Sequence, residues 1–154
     1  MDKKKLAISI IIPFIAAAIG SIFTSQTVSN WYLTLQKPSF NPPSWIFSPV
    51  WTTLYLLMGI SLYLVWAKKT KTKKTTAYWA FGIQLGLNAL WSMMFFGLKS
   101  PTLAFANIIA LLAAMIVTTI KFYKISKTSA YLFIPYILWV SFATILNLAI
   151  VILN

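Results

Sequence analysis

The 154-residue chain has no cysteine and no histidine, and its one acidic side chain is Asp2. Without cysteine there are no disulfides, no thiol redox chemistry and no thiolate metal sites. Without histidine or a second carboxylate, three kinds of chemistry fall away. These are Ser-His-Asp nucleophilic catalysis, paired-carboxylate hydrolysis and zinc sites. Proton relays through intramembrane Asp or Glu are excluded as well. Charged residues make up 9% of the chain, against about 25% in an ordinary soluble domain. Arginine is absent too, so all thirteen cations behind the net charge of +12 are lysines. Nucleic-acid recognition leans on arginine geometry. These lysines instead cluster between apolar runs, as the positive-inside rule produces beside membrane spans. The charge therefore argues for a bilayer and against nucleic acid.

What is abundant is apolar surface, at 60% of residues and a mean hydropathy of +0.82. A helix needs about 20 apolar residues to cross a hydrocarbon core of about 30 Å. Five segments meet that requirement, over roughly 6–27, 44–66, 76–98, 102–123 and 130–153, none with a charge in its centre. The expected fold is an all-α integral membrane protein, one compact bundle of five transmembrane helices. Lys3-Lys4-Lys5 and the run from Leu6 to Ala18 have the layout of a secretory signal. The run continues to Phe23, longer than a signal needs, and an uncleaved span is the better reading. Lysine placement gives the orientation. One side carries Lys3, Lys4, Lys5, Lys68, Lys69, Lys71, Lys73, Lys74, Lys121, Lys124 and Lys127, and the other only Lys37 and Lys99. The richer side is expected in the cytoplasm, with the N-terminus, leaving the C-terminus outside.

The connection over 28–43 contains WYLTLQKPSFNPP, with Pro38, Pro42 and Pro43 among Trp31, Tyr32, Leu35 and Phe40. Its prolines exclude a continuous helix. It reads either as a lid folded over a cavity or as an interfacial segment of the aromatic belt. Within the spans, residues at about 100° per step form stripes. These are Gln84, Asn88, Trp91, Ser92 and Phe95 in the third, and Trp139, Phe142, Ala143, Leu146 and Asn147 in the fifth. Trp51, Tyr55, Met58 and Leu62 align in the second, and Leu103, Asn107, Ala110, Leu111 and Ala114 in the fourth. Pro49 falls in the first turns of its helix, whereas Pro135 is expected to kink the fifth. Gly82 and Gly86 form a GxxxG pair away from the polar stripe, for packing within the chain or against a second copy. Any one stripe is ordinary core. Together Trp51, Asn88, Trp91 and Trp139 converge near the outer ends of their spans, beside the stiff aromatic connection. An apolar, aromatic-walled cavity with a few placed amides is the usual form of a small-molecule site.

Three long motifs carry a resemblance: WYLTLQKPSFNPPSWIFSPVWTTLY (Trp31 to Tyr55), LNALWSMMFFG (Leu87 to Gly97) and PYILWVSFATILN (Pro135 to Asn147). In these the chain resembles, over its whole length, the translocator proteins or tryptophan-rich sensory proteins (TspO). The resemblance implies a five-helix bundle that often dimerises. It implies binding of porphyrins, notably protoporphyrin IX, and of isoquinoline carboxamides and benzodiazepines, with no built-in cofactor and no metal. It places Tyr32, Trp51, Asn88, Trp91, Trp139, Phe142, Ala143 and Leu146 on the pocket wall; Ser92 joins them from the third-span stripe. Trp51 and Trp139 match the tryptophans associated with light-dependent porphyrin breakdown in bacterial members, which makes them the tentative catalytic pair. Lys37 and Lys99 are the cations near the expected mouth, and Lys99 also reads simply as a solubilising helix-end residue. A haem iron would find no histidine or cysteine, which favours the metal-free porphyrin. The chain departs from the animal pattern at LNLAIVILN from Leu146, where the Tyr and Arg of a cholesterol motif are missing. It also has Asn107 for an acidic residue and Leu103 for a Trp, implying a smoother wall on that side. Receptor or sensor, transporter of lipophilic solutes, and interaction partner of other membrane proteins remain the competing function classes.

Overall fold

In hydrocarbon every backbone N–H and C=O must find its partner inside its own segment, so long apolar runs become helices. The computed structural model describes residues 2–154. Its helices are α1 (Lys3–Thr27), α2 (Trp31–Thr34), α3 (Ser44–Ala67), α4 (Thr75–Ser92), α5 (Pro101–Tyr123), α6 (Lys127–Tyr131) and α7 (Ile134–Leu153). Five stretches are long and apolar enough to span a bilayer: α1, α3, α4 with the turn that follows it, α5, and α6 with α7. The protein is thus a multi-pass, all-α bundle. Its outer surface supports this, with Ile8, Ile11, Ile15, Ile19 and Ile22 of α1 all exposed, as are Ile109, Ile116 and Ile120 of α5.

Local chemistry sets the helix ends. The Asp2 carboxylate accepts the Lys5 N–H at 3.1 Å and caps α1. Ser100 and Ser126 do the same for α5 and α6. Two features differ from the sequence reading. The third span finishes in a π-helical turn, Met93–Gly97. The fifth span is interrupted rather than kinked at Pro135. The chain turns at Leu132 and Phe133, and Pro135 lies in the first turn of α7, where its missing N–H costs nothing.

Helix α1 packs between α3 and α4; α4 lies along α5, α5 along α7, and α6 closes back against α3. Two glycines permit close approaches of α1 to α3 and α4. A Cβ on Gly59 would sit 2.7 Å from the Ile10 Cα, and one on Gly20 would sit 3.1 Å from the Ser92 Oγ. The lysine-rich half of the bundle is solid. Phe81 and Phe122 stack there with Phe133 edge-on to both, and Ser61 and Ser129 pair their hydroxyls at 2.7 Å to join α3 to α6. The fourth-span stripe is rotated from its expected position. The buried face of α5 runs through Ala104, Ile108, Leu111, Met115 and Phe122, while Leu103 is 48% exposed and looks outward. Gly82 and Gly86 meet nothing within 4 Å and share the outer surface of α4 with the exposed Trp79 and Ile83.

Candidate functional site

Toward the end that carries the connection over 28–43, the helices part around a cavity of about 690 Å³. Trp51 and Tyr55 of α3, Asn88, Trp91 and Ser92 of α4, and Trp139, Ala143 and Leu146 of α7 line it, with Ile108 and Leu111 of α5. Tyr32 reaches in from α2. Eight of the nine ligand-binding positions expected from the sequence therefore face one space. The ninth, Phe142, does not. It turns to the other side of α7, where it packs on Phe40 and Trp139 over a shallow groove beside Pro49, Val50 and Leu57 of α3. Leu103 is also off the wall, so the smoother surface expected there does not arise from it.

The floor is a hydrogen-bonded chain. The Tyr55 hydroxyl donates to Asn88 Oδ1 at 2.6 Å, Asn88 Nδ2 donates to the Tyr136 hydroxyl at 2.9 Å, and that hydroxyl donates to Gln84 Oε1 at 3.2 Å. Trp51 stacks on Tyr55 with ring centroids 5.5 Å apart and meets Tyr136 edge-on at 6.2 Å. Higher up, Trp91 Nε1 donates to Asn147 Oδ1 at 3.0 Å, and Asn147 Nδ2 donates to the Pro101 carbonyl at 2.9 Å. Asn107 donates to the Leu87 carbonyl. All four expected amides thus bind helix to helix, Asn88 with one bond on each side-chain atom. The buried Trp139 Nε1, by contrast, has no hydrogen-bond partner. A buried donor left unpaired is costly; this one has almost no accessible surface, so a guest in the cavity meets it only once the Trp139 ring turns inward.

The connection over 28–43 folds across the cavity's end. The π-helical turn brings Phe95 and Phe96 together at 4.9 Å, and Trp31 and Tyr32 pack on them at 5.7 and 5.8 Å. Phe40 covers Phe142. The side chain of Asn154 clamps the segment from beyond α7, accepting the Gln36 N–H at 2.9 Å and donating to the Gln36 carbonyl at 3.0 Å. Burial raises the Tyr32 phenol's pKa, an effect its hydrogen bond to Asn41 partly offsets. Lys37 Nζ stands 4.6 Å over the Tyr32 ring, beside the cavity. Lys99 is exposed in the turn before α5, with a left-handed φ of 52°.

Sequence reasoning missed the contribution of α1. Phe14, Ala17, Ala18, Gly20, Ser21 and Thr24 complete the wall. The small residues between Ala16 and Ser21 were the available signal, hidden because the stretch also reads as an ordinary apolar anchor.

The sequence model of the TspO/MBR family matches residues 9–153. A tryptophan-rich protein TspO from Archaeoglobus fulgidus is 44% identical, covering 100% of this chain and 99% of its own length. The human translocator protein is 36% identical over 88% of this chain and 81% of its own. The tryptophan-rich sensory protein of Cereibacter sphaeroides is 34% identical over 85% and 83%.

Proposed function

The chain belongs to the TspO/MBR family, and from that premise we propose that it is a membrane receptor for flat, hydrophobic tetrapyrroles, protoporphyrin IX first among them. The observation that carries the reading is the aromatic-walled cavity of about 690 Å³, bordered by Trp139, whose buried Nε1 has no hydrogen-bond partner among the described residues. Its volume falls in the usual range for sites that bury drug-sized ligands, about 300–1,000 Å³. The same space suits isoquinoline carboxamides and benzodiazepines. Rings stack against Trp51, Trp139 and Tyr32, each contact contributing about 0.5–1.5 kcal/mol beyond area burial. Asn88 keeps one donor and one acceptor site beside its bonds to Tyr55 and Tyr136 and offers an orienting hydrogen bond, and Trp139 Nε1 adds another once its ring turns toward the guest. Lys37 at the lid neutralises a propionate. The protein resides in the cell membrane with its lysine-rich end in the cytoplasm, and pairs with a second copy along the open Gly82/Gly86 face of α4.

The chain supplies no acid–base pair, so any turnover belongs to the porphyrin's own light and oxygen chemistry. The protein's part is orientation and exclusion of water, with Trp51 and Trp139 as neighbouring electron-rich rings. The test is a tryptophan-fluorescence titration with protoporphyrin IX, in the dark and then in light. Saturable quenching weakened about tenfold by Trp139→Phe is the expected result, the size expected for a lost buried hydrogen bond. Loss of the Soret band in light, suppressed by Trp51→Phe and Trp139→Phe, supports breakdown. Binding without bleaching restricts the role to receptor or carrier. Absence of saturable quenching overturns the porphyrin reading.

A further inference from the structure

The cavity has a side as well as an end. Helix α1 is tied to different neighbours at its two halves. Toward the lysine-rich end it lies on α3, through the Gly59 contact with Ile10 and the Phe14–Tyr55 ring pair at 6.0 Å. Toward the lid end it lies on α4. Gly20 meets Ser92, a Cβ on Gly97 would fall 2.9 Å from the Phe23 ring, and Thr27 Oγ1 donates to the Phe96 carbonyl at 3.3 Å. Between the lid-end halves of α1 and α3 there is space, since Ala18, Ser21 and Thr24 of α1 and Ser44, Ser48 and Thr52 of α3 all line the cavity. Beyond Phe14–Tyr55, no hydrogen bond or ring pair among the described residues joins α1 to α3. The cavity reaches into this gap, where its lining residues Ala18, Ser21, Ser44, Ser48 and Thr52 are exposed.

Ala18 and Thr52 lie well inside their spans, so whatever part of their surface looks out of the bundle faces lipid, whereas Ser44 begins α3 at the span's end. The rim is suited to that. Its side chains are small, and hydroxyls are satisfied on their own helix, Ser21 Oγ by the Ala18 carbonyl and Thr52 Oγ1 by the Ser48 carbonyl, both at 2.8 Å. The Ser21 and Thr52 hydroxyls thus present no free donor to an apolar guest, while those of Ser44 and Ser48 lie nearer the end of the span. The lid end is the opposite, packed with rings and clamped by Asn154. A hydrophobic ligand, moreover, is concentrated in the bilayer rather than in water.

We infer that the ligand enters and leaves sideways, from the hydrocarbon of the bilayer through the slot between α1 and α3, while the lid stays shut. The inference rests on the cavity's being the ligand site and adds the route to it. Ser48→Trp and Ala18→Phe place bulk in the slot at exposed positions. In nanodiscs, stopped-flow quenching by protoporphyrin IX is expected to show both association and dissociation slowed together, by about tenfold or more, as narrowing a passage requires. Trp139→Phe on the wall acts mainly on dissociation instead. Asn154→Ala, which frees the lid, changes neither rate by more than about twofold. Faster exchange on freeing the lid, with no effect of the plugs, overturns the inference.

A ligand-free arm uses Ala143→Cys, the sole cysteine such a variant carries. A maleimide borne on a phospholipid acyl chain should label it, and more slowly with Ser48→Trp added. Labelling by a water-soluble maleimide alone overturns the lateral route. If porphyrin binds no variant and not the parent, the receptor reading falls while the labelling still decides the route.

Discussion

At the scale of single residues, the division of labour between amides and indoles is the instructive feature. Asn88 is a wall residue in the sequence reading, and in the structure Tyr55 and Tyr136 each make one bond with its side chain. Those bonds tie Tyr55, on which Trp51 stacks, to Tyr136. Tyr136 is wholly buried and joins Asn88 to Gln84, so Tyr136→Phe leaves two buried amides each short of a partner. The expected cost is about 0.5–2 kcal/mol, because polar contacts between membrane helices are worth little more than that. Thermal unfolding in detergent checks it: the midpoint should fall while protoporphyrin affinity stays within about threefold, less than 1 kcal/mol. A comparable loss of affinity at unchanged stability would place Tyr136 in contact with ligand. Trp51, Trp91, Trp139 and Asn88 were legible because tryptophans and amides are conspicuous in an apolar span. Phe142 was not legible as off-site. Steps of three and four residues lean to opposite sides of a 3.6-residue helix. Ala143 and Leu146 follow Trp139 into the cavity, whereas Pro135, Leu138 and Phe142 lean toward the groove.

At the scale of helices, periodicity located the spans closely and left rotation and fine geometry open. The fourth span has apolar residues all round, so nothing in its pattern distinguishes the face through Leu103 and Ala110 from the buried one through Ala104 and Leu111. The π-helical turn at Met93–Gly97 carries no composition marker, although it aims Phe95 and Phe96 at the lid. Pro135 was visible, but whether a proline kinks a helix or starts one depends on where the preceding turn ends. The glycines separate by what surrounds them. Gly59→Leu would drive a side chain into the α1 backbone, and overpacking of that kind costs about 1–3 kcal/mol. Gly86→Leu meets open space and leaves the protomer's stability unchanged within about 0.5 kcal/mol, as for other surface sites. If the proposed dimer forms along α4, that same substitution converts it to monomer. Light scattering of the detergent-solubilised protein reads the mass, and a Gly86→Leu protein that remains dimeric moves the interface elsewhere.

At the scale of the molecule, charge and shape divide the bundle into two unlike ends. The lysine-rich end is packed solid, and the lid end is hollow and carries only Lys37 and Lys99. Few side chains at the packed end neutralise the lysines. Asp2 is the sole acid, and it reaches Lys5 at 3.6 Å. Lys74 illustrates the electrostatic load: desolvation, and then repulsion from Lys5, lower its pKa. Such a cluster is costly to translocate and favourable beside an anionic cytoplasmic leaflet, where each Lys near the surface contributes about 1 kcal/mol. With the lysine-rich end in the cytoplasm, as proposed, the cavity would open toward the outer half of the membrane. The chain's lack of cysteine makes this directly measurable, since Lys71→Cys and Lys37→Cys each introduce a unique thiol at opposite ends. In sealed right-side-out cells, an impermeant thiol reagent should modify Lys37→Cys and spare Lys71→Cys, and in inverted vesicles the pattern should reverse. Modification of Lys71→Cys in intact cells would invert the bundle. The hollow end and its lateral slot would then face the inner leaflet, and the ligand would be drawn from the cytoplasmic side.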